Sequence, residues 1–153
     1  MFRGNVVYLY TARDAAAPME STQEVKAVAG RGLEGDRYFD GKGHWSKTPG
    51  VSRQVTLIEI ETIEALERDQ NIAVAPGAAR RNVVTRGVPL NHLVGREFQV
   101  GAVRLRGTRL CEPCAYLEGL TQQGVLAGLM HRGGLRAEIV TGGTIRLEDT
   151  NTE

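Results

Sequence analysis

The chain has 153 residues, 41% of them apolar, a formal net charge of +1 and a pI near 7.8. That length suits one domain spanning residues 1 to 153, with enough apolar content for a real core. The balanced charge gives none of the overall basic field that marks nucleic-acid binders, so no nucleic-acid partner is expected. The start, Met1 to Val7, lacks the apolar run of a signal peptide. No window approaches the roughly 18 consecutive apolar residues that span a membrane. A soluble, cytoplasmic protein with no membrane partner is expected. In that reducing setting the two cysteines point to catalysis or redox chemistry rather than to a structural disulfide. Arginine supplies 16 of the cations and lysine 3. A GC-rich coding sequence explains such a bias, and so does bidentate recognition of phosphate or carboxylate.

In chain order, residues 5 to 10 (Asn-Val-Val-Tyr-Leu-Tyr) are rich in β-branched and aromatic residues and predict a strand. A second strand over 24 to 28 alternates apolar and polar residues. It runs into Gly30-Arg31-Gly32-Leu33-Glu34-Gly35, which matches G-x-G-x-x-G. A dinucleotide site needs that motif to open a helix inside a βαβ unit. The next residues, Asp36 to Gly43, carry further glycines and no helical period, so a glycine-rich turn presenting Asp36 and Arg37 is expected. Residues 40 to 52, around His44, Trp45, Pro49 and Gly50, predict a loop, either a plain surface loop or a lid over a site. Residues 53 to 58 form a third strand. Ile60, Ile63 and Leu66 then mark an amphipathic helix ending near Asp69.

Pro76-Gly77 makes a turn before a short strand over 80 to 86, entered through Arg80 and Arg81. Residues 90 to 94 predict a helical turn stopped by Gly95. Residues 97 to 100 and 103 to 110 predict a hairpin across Gly101-Ala102. A helix over 120 to 132 is expected to bury Val125, Leu126, Leu129 and Met130, with Gly133-Gly134 as its stop. Residues 135 to 140 and 144 to 147 predict a hairpin across Gly142-Gly143, and the last six residues are expected to fray. Seven or eight short strands with hairpin connections and few helices predict a mainly β fold, an antiparallel β-barrel with attached α-helices.

Chemistry concentrates at Cys111-Glu112-Pro113-Cys114, which holds both cysteines where a strand gives way to a helix. Pro113 breaks the strand, so Cys114 is expected at the start of the helix, where free amides and the helix dipole favour a thiolate. Cys111 lies close enough to resolve or assist it. Three other readings compete: two small buried hydrophobes, a structural zinc site, and a thioredoxin-like dithiol. Zinc lacks a second pair, because His44, His92 and His131 are isolated in sequence. A dithiol motif is expected near a βαβ unit rather than late in a chain of short strands. Arg80 and Arg81 suit a phosphate clamp or a solvated surface pair. Asp36 and Arg37 suit a site or a local ion pair.

Gly32 to Arg37, Arg80-Arg81-Asn82 through Thr85-Arg86-Gly87, Leu90-Asn91 through Val94-Gly95, Cys111-Glu112-Pro113-Cys114 and Gly142-Gly143-Thr144-Ile145 occur in an order that resembles MOSC domains, the family named for the C-terminal domain of molybdenum cofactor sulfurases. The resemblance covers about residues 5 to 149. It implies a β-barrel, and binding of molybdenum cofactor or handling of the sulfur destined for it. Cys114 would be the functional thiol, carrying a persulfide or ligating molybdenum in members that reduce N-hydroxylated compounds. Arg37, Arg80 and Asn82 match positions that hold the anionic part of the cofactor, and Asp36 and Arg81 adjoin them. The chain carries no pyridoxal-phosphate fold, so a sulfur donor such as a cysteine desulfurase, or an electron-transfer protein, is expected as partner to a small-molecule reaction. A cofactor-free thiol-disulfide exchange protein using Cys111 and Cys114 is the alternative.

Overall fold

The computed structural model describes residues 1–47, 50 and 53–153. In chain order its strands open with β1 (Arg3–Thr11), β2 (Glu20–Thr22), β3 (Glu24–Val28), β4 (Gly32–Leu33) and β5 (Val55–Glu59). Helix α1 (Ile60–Gln70) comes next, then β6 (Val83–Arg86), β7 (Glu97–Val100) and β8 (Val103–Leu110). Helices α2 (Ala115–Leu120) and α3 (Val125–Gly128) precede β9 (Leu135–Thr141), β10 (Gly143–Arg146) and β11 (Thr150–Thr152). Pro76–Ala79 and Leu90–Leu93 are 3-10 turns.

The larger sheet runs β11, β7, β8, β9, β5, β6, β1, β2, and β11 pairs back onto β1, which closes a seven-stranded barrel. Alternation along the strands sends Leu57, Leu105, Leu135 and Ala137 inward, where each is fully buried beside Phe98, Val6 and Val83. Fully burying one such Leu or Val is worth about 1.5–3 kcal/mol against exposure. The expected barrel is therefore present, but its sheet is mixed. Helix α1 carries the chain back between β5 and β6, so those two run parallel (Leu57 opposite Val83).

Three further expectations are corrected. The Gly142-Gly143 hairpin does not form: β9 pairs with β8 and β5, and β10 pairs with β3 in a small second sheet with β4. A Cβ on Gly142 would lie 2.7 Å from the Ala27 carbonyl oxygen, and Gly143 has φ +152°, so these glycines let the chain leave the barrel and cross tightly to β3. The C-terminal residues do not fray: β11 joins β1 to β7, and Asn151 is fully buried. The long helix over 120 to 132 shrinks to the four residues of α3. Gly124, with φ +100°, and Gly128, whose added Cβ would meet Leu66 Cδ1, let α3 lie close against α1. Val125 and Leu129 are buried there, whereas Met130 is exposed.

The G-x-G-x-x-G stretch is the β3–β4 turn and opens no helix. Helix α1 keeps its predicted face, burying Ile60, Ile63 and Leu66, and ends with Asn71 in the left-handed conformation. Leu66 then packs with Leu117, Val125 and Leu129 in a small cluster. That cluster fixes α2 and α3, and with them the segment after Cys114, against the barrel.

Candidate functional site

β8 delivers Cys111 to one end of the barrel, and its amide donates to the Gly134 carbonyl at 2.7 Å. Arg81, just ahead of β6, holds the loop from the other side: Nε donates to the Gly133 carbonyl (2.8 Å) and Nη2 to the Cys111 carbonyl (3.1 Å). Glu112 accepts from the His131 amide (2.7 Å) and lies 2.7 Å from His131 Nδ1. A Cβ on Gly133 would collide with the Cys111 carbonyl oxygen. Gly133 is thus no helix stop; it makes room for the cysteine loop.

Cys114 is the N-cap of α2, with extended φ −140° and ψ 168°, and its carbonyl accepts from the Glu118 amide at 3.0 Å. Both thiols are free; Cys111 is buried and Cys114 half-buried. Helix α2 has only six residues, so its dipole is a minor influence on the thiol.

A cavity of about 50 Å³ brings Cys111 and Cys114 together with Arg37, Arg80, Arg81 and Arg136, walled by Tyr38, Trp45 and Tyr116. Of the residues singled out in the sequence, Asp36 and Asn82 do not line it. Asp36 supports from behind: Oδ1 lies 3.0 Å from Arg37 Nη1 and accepts the Ala12 amide at 3.1 Å. The pair is buried, Asp36 at 1% and Arg37 at 7% exposure. It is a local ion pair that also carries a cation to the cavity. The Asn82 side chain accepts from the Thr56 amide and donates to the Tyr10 carbonyl, both at 3.1 Å, so it ties β5 to β1.

Arg80 stands apart. It is 9% exposed and adopts a left-handed φ of +61° at the end of the Pro76–Ala79 turn, a conformation uncommon outside glycine and frequent at functional sites. Nη1 donates to the Ala17 carbonyl at 2.6 Å, while Nη2 is buried with no partner. Burial, and after it the charge of Arg37, pull this guanidinium below the ordinary arginine value. Beside Arg136, outside the lining, burial and then the charges of Arg136 and Arg109 do the same to Arg53. The site is strongly electropositive in a chain of almost no net charge.

Sequence reasoning missed Arg136, Tyr38 and Tyr116. Arg136 occupies an outward position in the alternation of β9, which in sequence signals only a solvated face. The loop expected over 40 to 52 contributes Trp45, edge-on to His44 at 4.6 Å, and His44 stacks on Tyr116 at 3.8 Å. Its residues 48, 49, 51 and 52, Pro49 among them, lie outside the described residues. Among the described residues no three His, Cys, Asp or Glu side chains are grouped to hold a metal ion. No helix among the described residues is long and apolar enough to cross a membrane.

The fold is similar to that of the YuaD protein from Bacillus subtilis, with a TM-score of 0.77 and 16% identity over 99% of this chain and 97% of that one. It is also similar to YiiM from Geobacillus stearothermophilus (TM-score 0.75, 11% identity, 97% and 74% covered) and YiiM from Escherichia coli (0.70, 18%, 99% and 69%). No curated protein matches the chain significantly in sequence. At these identities the structural likeness is one of fold. Residues 40–152, most of the chain and including the cysteine motif and Arg80, match the MOSC domain, and the protein belongs to the MOSC domain family.

Proposed function

We propose that the cavity beside Cys114 receives the anionic, sulfur-seeking end of molybdenum cofactor or the sulfur destined for it, with Cys114 as the functional thiol. The observation that carries this reading is Arg80, nine-tenths buried, lining the same cavity as both cysteines and holding one terminal nitrogen without a partner. An orphaned buried cation is costly unless a negative group completes it. A soft thiolate suits molybdenum and persulfide sulfur alike.

The donor set fits such a group. A volume of about 50 Å³ suits an anionic end and not a whole pterin. Beyond Arg80, an open groove of about 510 Å³ along Tyr10, Pro18, Met19, Ala78 and Leu120 offers apolar surface for the remainder. When bound, the cofactor supplies the two-electron chemistry of its metal. The chain's own residues bind and orient: Arg37 and Arg80 meet negative oxygens, Arg81 fixes the cysteine loop, and Cys114 presents its sulfur. Trp45 and Tyr116 limit the water that reaches it. Ligation by Cys114 would suit reduction of N-hydroxylated compounds, and a Cys114 persulfide would suit cofactor sulfuration. A cysteine desulfurase or an electron-transfer protein in the cytoplasm would then be the partner.

The test is molybdenum and pterin analysis of protein from a host that makes the cofactor, wild type beside Cys114→Ser and Arg80→Ala, with mass spectrometry of Cys114. The expected result is either cofactor that both substitutions remove or an added sulfur on Cys114. Neither, together with a reversible Cys111–Cys114 disulfide indifferent to Arg80→Ala, would replace the proposal with cofactor-free thiol-disulfide exchange.

A further inference from the structure

The size and charge of the cavity narrow the sulfur source. Four guanidinium groups line it, from Arg37, Arg80, Arg81 and Arg136, and Glu112 is the sole carboxylate among its described lining residues. Asp36 behind Arg37 is the second acid at hand, and Glu112 is already engaged by His131. The lining is therefore rich in cations and poor in carboxylates. About 50 Å³ is the space of a small anion and far below that of a nucleotide or a peptide side chain with its backbone. Arg80, which lines the cavity, keeps one buried terminal nitrogen without a partner among the described residues.

We propose that this cavity binds a small sulfur oxyanion carrying a transferable sulfur, thiosulfate being the simplest, and that Cys114 takes that sulfur directly. The inference rests on Cys114 acting as a sulfur carrier and names its donor. The Cys114 thiolate attacks the outer sulfur of thiosulfate. A Cys114 S–S bond forms as the S–S bond of thiosulfate breaks, and the electron pair of that bond leaves with sulfite. Three negative charges enter the step and three leave, and no outside oxidant or reductant is required. Arg80 and Arg37 hold the sulfonate oxygens and stabilise the departing dianion, as cationic donors do when charge gathers on a leaving group. The half-buried Cys114 is the attacking sulfur, because Cys111 is 2% exposed and its loop is clamped by Arg81.

The test incubates the full chain with thiosulfate and tracks sulfite release and the intact mass, with peptide mapping of the modified cysteine and thiocyanate formation when cyanide is the acceptor. One sulfite per chain and one added sulfur on Cys114 are expected, both absent in Cys114→Ser. Arg80→Ala should lower the rate of charging by thiosulfate, relative to charging by a neutral organic polysulfide, about tenfold or more, about 1.4 kcal/mol at the transition state. Arg80→Lys, which keeps a cation, guards against misfolding and should fall between Arg80→Ala and wild type. Arg106→Ala, in an exposed surface pairing with Glu97 and Glu138, should match wild type. Charging by the polysulfide but not by thiosulfate would overturn the inference and leave the carrier reading intact. Charging by neither would remove both.

Discussion

Gly133 shows how a single residue supports the site from outside it. An added methyl at Gly133 meets the Cys111 carbonyl, a backbone atom that Arg81 also holds, so nothing flexible can give way. Gly133→Ala is expected to cost about 1–3 kcal/mol, the scale of overpacking, and to speed alkylation of Cys111. A urea midpoint and an alkylation time course check it, and a variant with wild-type values in both would show the contact to be unimportant. Glu59 opens the way to a different region, the groove between α1 and the Leu90–Leu93 turn. Burial pushes its carboxyl up, opposed by the Leu90 amide that donates to it at 3.2 Å. A carboxyl raised in the folded state favours the fold while protonated, and that contribution is lost as pH rises from the unfolded carboxylate range through the raised folded value. Glu59→Gln keeps an acceptor for Leu90 and should stabilise the protein near about pH 7 with little effect near about pH 3.5, below the carboxylate range. Equal effects at both pH values would contradict this.

At the scale of elements, local signals were legible and partner choice was not. The face of α1 and the alternation of β8 and β9 come from periodicity, which burial alone enforces. The break between strands at Gly142-Gly143 also reads correctly. Its product does not, because β8 and β5 already occupy both edges of β9 and β10 must go to β3. Likewise Thr150, Asn151 and Thr152 look like a polar tail, since nothing local reveals that their backbone fills the gap between β1 and β7. Of the site, Cys111, Cys114, Arg37, Arg80 and Arg81 could be named from sequence. Arg136 and Tyr116 could not, because they become neighbours of the thiols only once the barrel closes. Deleting residues 150 to 153 is therefore expected to expose two strand edges and cost about 3 kcal/mol or more, beyond most single-site effects. A calorimetric or urea transition unchanged by the deletion would show that closure through β11 contributes little.

At the scale of the whole molecule, four separated segments converge: the loop after β4, the lead into β6, the exit of β8 and the start of β9. The loop after β4 and the first residues of β9 bring Arg37 and Arg136, so arginines surround two thiols in a chain whose net charge is only +1. The relative rates of alkylation by iodoacetate and iodoacetamide measure what this convergence does to the thiol. The two reagents differ mainly in charge, so the ratio of their rates at Cys114, divided by the ratio for free cysteine, reads the local field. The account predicts a several-fold preference for the anionic reagent that falls in Arg80→Ala and with added salt. A ratio equal to that of free cysteine, unmoved by Arg80→Ala, would show that the arginines do not act on the thiol and would contradict the account.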